Sequence, residues 1–282
     1  MGRNRAHSEP SGTGCVNDRV DCVGDRLWLW CHPAGSHNGI YGLPGASRIT
    51  PVEACCYLGI RNALMVRYHD YGPFPPFDQL ALPFTALDRV VWSIVGASGQ
   101  TDEQTREAVL ELARQTPHVT GVIMDDFFKA EGDSPAHLTL DELTRVRERL
   151  HLPGRTLDLW AVLYDYMLDR HFDAYLDLCD TATFWTWEAA NLGNLERNFE
   201  RFEKVAERQS KVLGCYMWDY GSFKPMPLDL MQKQCEFGLE MLEAGRIQGM
   251  ILLASCICDL GLETVTWTRN WVREVGKNHL PG

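Results

Sequence analysis

Eight short apolar runs recur along this chain at intervals of roughly thirty residues, and amphipathic stretches lie between them. The runs are 26–31 (RLWLWC), 63–68 (ALMVRY), 89–95 (RVVWSIV), 121–125 (GVIMD), 157–163 (LDLWAVL), 183–187 (TFWTW), 212–218 (VLGCYMW) and 249–254 (GMILLA). They lack the in–out alternation of a half-exposed strand and are rich in Val, Ile, Leu, Trp and Tyr. That is the composition of parallel strands buried on both faces. The stretches between them read as helices. TDEQ opens 101–115 and TLDE opens 139–150, and each has the form of a capping box, with Thr101 answered by Gln104 and Thr139 by Glu142. Leu195, Phe199, Phe202 and Val205 repeat at helical spacing, as do Leu228, Met231, Cys235, Leu239 and Leu242. A closing helix over 262–275 holds Val265, Trp267 and Trp271. Eight strand–helix alternations predict an α/β chain folded as a single-domain (βα)₈ TIM barrel over residues 25–282, behind a polar leader at 1–24. The Pro-rich second crossover, 71–84, reads as a long loop. A doubly wound open sheet is the alternative, but HPAGSHNGIYGLPG after the first run contains no GxGxxG and no GKS or GKT, so a nucleotide cofactor is not expected.

A net charge of −11 lacks the clustered Lys and Arg that nucleic acid requires, and gives no reason to expect an acidic membrane surface as partner. The ten cysteines are scattered through strand-like and helix-like runs, with no CxxC pair. They read as buried thiols in a reducing compartment rather than as a disulfide framework. Residues 1–14 lack the apolar core of a signal peptide, and no later run is long enough to span a bilayer, which predicts a cytoplasmic enzyme.

Function in such a barrel gathers at the C-terminal ends of the strands. Those ends carry His32; Tyr68, His69 and Asp70; Trp92 and Ser93; Asp125 and Asp126; Tyr164 and Asp165; Trp185, Trp187 and Glu188; Trp218, Asp219 and Tyr220; and Ser255. Two adjacent carboxylates ending a buried strand repel each other and resist desolvation, so GVIMDDFF is the sharpest local signal. Strand alternation puts Asp125 on the face of Ile123 and Asp126 on the other. Glu188 and Asp219 are the candidate partners, because glycoside hydrolysis uses two carboxyls facing one bond. The plainer alternatives are capping or ion pairing for the two aspartates, a helix-start carboxylate for Glu188 and a turn for Asp219. Indoles stack on the apolar faces of sugar rings, and Trp187 and Trp218 are best placed for this, whereas Trp28, Trp30 and Trp160 read as core. His32, His37 and His69 raise the question of a metal held by His32, Asp125, Glu188 and Asp219, but no HxH or HExxH spacing supports one.

The phrase GVIMDDFF, with WTWEA and YMWDYG downstream, resembles the barrel glycoside hydrolases, and within them the chitinase-like group whose fourth strand ends in an acidic cluster. Against the chitinase pattern DGxDxDxE, Gly121 and Asp125 match, while Ile123 and Phe127 stand where two acids belong. The resemblance implies an acidic strand-four end at Asp125 and leaves substrate-assisted chemistry without its glutamate. The expectation is therefore a glycosidase acting on a carbohydrate without a cofactor. Asp125, Asp126, Glu188 and Asp219 are its catalytic candidates, and His32, Tyr68, Trp92, Tyr164, Trp187 and Trp218 its substrate contacts. A metal-dependent sugar isomerase or epimerase and a non-catalytic carbohydrate-binding barrel are the alternatives.

Overall fold

The computed structural model describes residues 21–132 and 134–281. Eight parallel strands follow one another around a closed barrel: β1 Leu27–Cys31, β2 Asn62–Met65, β3 Arg89–Val95, β4 Val119–Met124, β5 Asp158–Tyr164, β6 Thr181–Trp185, β7 Ser210–Tyr216 and β8 Gly249–Leu253. Pairing of Leu27 with Met250 and Trp30 with Leu253 joins β1 to β8 and closes the ring. A helix follows every strand: α1 Pro51–Leu58, α2 Asp78–Ala81, α3 Glu103–Gln115, α4 Leu140–Arg149, α5 Asp173–Leu176, α6 Leu195–Val205, α7 Leu228–Glu243 and α8 Glu263–Val275. The chain is a single-domain (βα)₈ barrel. All eight apolar runs became its strands, and ring closure excludes the open sheet.

The differences lie at element ends. β6 and β7 each stop two residues before the end of their apolar run, at Trp185 and Tyr216. A shift of two keeps the same face but changes which residue stands at the rim. Asp102, not Thr101, caps α3: its carboxylate accepts both the N–H and the hydroxyl of Thr105, while Thr101 donates to the Ile94 carbonyl. Aspartate is as good a cap as threonine and sits one residue nearer the helix. The box at Thr139 and Glu142 forms as its spacing requires. The Pro-rich crossover holds the single turn α2, continued by a 3₁₀ turn over Leu82–Ala86 whose first positions accept Pro83. Most of the expected leader lies outside the described residues. Residues 21–24 pack beneath the barrel, with Val23 fully buried and its N–H bonded to the Asn278 carbonyl at 2.9 Å.

Tryptophans fill the barrel axis in layers. Trp28 meets Trp160 edge-on with centroids 5.1 Å apart, and above them Trp30 meets Trp185 at 5.3 Å. Gly214 on β7 makes room for the upper layer, since a Cβ there would fall 2.1 Å from the Trp185 ring. Among the described residues every cysteine is a free thiol, and no helix is long and apolar enough to cross a membrane.

Candidate active site

The upper tryptophan pair forms the floor of a cup of about 460 Å³, counting its open mouth, at the C-terminal end of the barrel. Its walls are almost wholly aromatic and polar: Trp30, His32, His37, Tyr41, Tyr68, Asp125, Asp126, Tyr164, Trp185, Trp187, Tyr216 and Tyr220, with Ala97, Val162 and Leu253 between them. The two aspartates enter together because β4 ends abruptly. Asp126 takes a left-handed backbone conformation, φ 46°, which breaks strand alternation and brings both carboxyls to the same cup. Aspartate tolerates this conformation better than most residues. The turn is held by two bonds into Asp126, one from the Tyr164 hydroxyl at 2.8 Å and one from the Ser98 N–H at 2.7 Å. Sequence alternation alone had Asp126 facing away.

Asp125 is only 6% exposed. Burial, and secondarily the charge of Asp126, hold its carboxyl well above the usual aspartate range, which favours its protonated form. His32 follows β1, three strands round the ring from β4. Trp30 Nε1 donates to its Nε2 at 3.0 Å, which leaves Nδ1 to donate to the Val66 carbonyl at 3.0 Å. Burial lowers this imidazole to about 4. The phenols of Tyr164, Tyr216 and Tyr220 are pushed upward, again chiefly by burial, and remain hydroxyl donors. Tyr41 and Tyr68 share a hydroxyl–hydroxyl bond of 2.8 Å that fastens the β1–α1 loop to the end of β2.

The structure brings Asp125, Asp126, His32, Tyr68, Tyr164 and Trp187 together around this cup. It places four other candidates elsewhere. Glu188 is exposed and is not among the lining residues, with its Cγ lying close to Gly221. Asp219 is buried, and its Oδ1 accepts the N–H groups of Ala189 and Ser222, so its place is in the turn beyond β7. Trp92 packs between Phe77 and Phe84 outside the barrel. Trp218 donates its indole N–H to the Tyr41 carbonyl and anchors the β1–α1 loop. Among the described residues no three His, Cys, Asp or Glu side chains gather as a metal would need.

Several lining residues were not among the expected substrate contacts. Trp30 and Trp185 form the floor because they occupy the last inward positions of their strands. Tyr216 takes the place expected of Trp218, a consequence of the two-residue shift at β7. His37 and Tyr41 arrive on a long loop with no periodic signal. The sequence raised His37 only in the question of a metal, and Tyr41 not at all.

No protein-family model matches the chain, and no curated protein matches its sequence. Solved structures do match. A xylanase–α-amylase inhibitor protein bound to trehalose superposes with a TM-score of 0.55 at 12% identity, covering 89% of this chain and 98% of that one. An active-site mutant of the Rhizomucor miehei β-1,3-glucanosyltransferase, in complex with laminaritriose, gives 0.55 at 9% identity over 82% and 87%. The chain shares its (βα)₈ barrel fold with these proteins. A β-D-glucuronidase from Dictyoglomus thermophilum gives 0.53 at 10% identity; it covers 93% of this chain but 54% of the longer enzyme. At such identities the likeness is one of fold, and it joins enzymes with an inhibitor protein. Activity has to be argued from the cup itself.

Proposed function

We propose that this barrel binds a carbohydrate in the cup and cleaves or transfers its glycosidic bond, with Asp125 as proton donor. The observation that carries this reading is the convergence of two successive carboxyls on one aromatic cup, one of them with its pKa raised by burial. A general acid needs a raised pKa and a dry site, and Asp125 has both. In the reaction its proton passes to the departing glycosidic oxygen as the bond to the anomeric carbon breaks. Asp126, fixed by Tyr164 and Ser98, serves as the second carboxylate: it stabilises the positive charge at the sugar ring or takes a proton from the incoming hydroxyl. Trp187 and the floor indoles offer flat apolar faces for the sugar's C–H surface. This reading gives Glu188 and Asp219 no part in the chemistry.

The test is a panel of aryl glycosides and oligosaccharides assayed for bond cleavage. Asp125→Asn is expected to lower kcat/KM by about 10²–10⁴-fold, the usual contribution of a general acid, while leaving sugar affinity nearly intact. A second reading, a catalytically idle sugar-binding barrel, is favoured by the inhibitor protein of the same fold that was captured with trehalose. Binding without turnover across the whole panel would establish it and remove the first.

A further inference from the structure

Two polar side chains in the cup have no hydrogen-bond partner among the described residues. His37 is 2% exposed, and neither ring nitrogen has a hydrogen-bond partner among the described residues. Tyr220 is 3% exposed, and its hydroxyl is likewise without one. They stand together, ring centroids 5.4 Å apart, and His37 is further boxed in by Tyr68 at 4.6 Å, His32 at 5.0 Å and Tyr41 at 5.2 Å. Of the buried polar side chains without a partner, these are the two that line the cup. Native proteins rarely leave buried donors and acceptors unmatched, and such groups at a pocket wall point to a ligand that supplies the match.

Their position gives the match its direction. In the ring order β4 stands across the barrel from β8, and β8 is flanked by β1 and β7. Asp125 follows β4, whereas His37 follows β1 and Tyr220 follows β7. A sugar ring held between the two walls with its scissile side toward Asp125 would turn its hydroxyls toward His37 and Tyr220. Burial and the neighbouring His32 and His69 keep the His37 imidazole neutral, so it offers one donor and one acceptor. The Tyr220 phenol also offers both. Vicinal sugar hydroxyls present the same pair of functions. No Lys or Arg lines the cup, and two carboxyls already do. A substrate carboxylate would therefore meet repulsion there and no counter-charge.

We infer that His37 and Tyr220 form the hydroxyl-recognition subsite of this cup, and that the sugar it accepts is uncharged rather than a uronate. The inference rests on the carbohydrate reading above, and the experiment separates the two. Asp125→Asn protein, which holds substrate without turning it over, is titrated calorimetrically with glucose, galactose, mannose, N-acetylglucosamine and glucuronate. His37→Phe and Tyr220→Phe are then added singly to that background. Each is expected to weaken neutral-sugar binding about tenfold or more. Each should also leave Tm unchanged or raise it, because a partnerless polar group has been replaced by an apolar one of similar shape. A merely structural role would lower Tm instead. Unchanged affinity, a fall in Tm, or glucuronate binding as tightly as glucose overturns the inference while the carbohydrate reading stands. If no sugar in the panel binds the parent protein, both fall together.

Discussion

Burial acts on Asp125 and His32 with opposite signs on pKa and one tendency on charge: it favours the protonated carboxyl and the neutral imidazole. The cup is lined by hydrogen-bonding groups and two carboxyls, with no Lys or Arg among its lining residues. For stability the Asp125 shift has a definite direction. Its folded-state pKa lies above the ordinary 3.8, so the native chain binds more protons than the unfolded chain between those two values. Its contribution is fully present below about pH 3.8 and is lost as pH rises through the folded-state value. Asp125→Asn, which needs no proton to stay neutral, should be more stable than the parent at pH 8, and the difference should vanish near pH 3. Thermal melts across that range check this; a constant difference would mean that the fold does not raise the Asp125 pKa.

At the scale of the element, β4 matters most for what happens at its end. A strand continuing through Asp126 would send the two carboxyls to opposite faces. The left-handed turn at Asp126 prevents this, and the Tyr164 and Ser98 bonds hold the turn in place. Asp126→Ala loses both acceptors and puts a residue ill-suited to positive φ in the turn, so it should destabilise the fold by about 1–3 kcal/mol. Asp126→Asn tolerates the backbone and can still accept from Tyr164, so its cost should be clearly smaller. Equal losses in chemical denaturation of the two variants would show that the backbone turn is unstrained and independent of those bonds.

Across the whole molecule, the cup and the core are continuous. Trp30 and Trp185 are at once the top layer of the barrel packing and the floor on which a sugar would rest. The glycine beneath Trp185 therefore has consequences at both levels. Gly214→Ala must displace the indole, because its Cβ would lie 2.1 Å from the ring. Overpacking of this kind costs about 1–3 kcal/mol. In a chain of this size that lowers Tm by roughly 2–4 °C per kcal/mol. Because the displaced ring belongs to the floor, sugar affinity should fall with it. A loss of Tm with unchanged affinity would show that the floor does not contact the ligand.

The number and order of the strands, the phase of the long helices and the acidic end of β4 were legible in the sequence, because each rests on local periodicity or composition. So were His32, Tyr68, Tyr164 and Trp187, which stand at strand ends or just beyond them. Only the tertiary structure decided which polar residues share one space. Asp126 joined the cup through a single unusual φ that no pattern announces. Tyr216 displaced Trp218 because β7 ended two residues early. His37 and Tyr41 came in on a loop whose course is set by contacts with Tyr68 and Trp218, distant in the chain. Glu188 and Asp219 stand near the right strand ends yet outside the cup's lining, since proximity along a strand says nothing of how far a side chain reaches toward the axis. Periodicity is a property of neighbours in sequence, whereas convergence depends on contacts that form only when the ring closes.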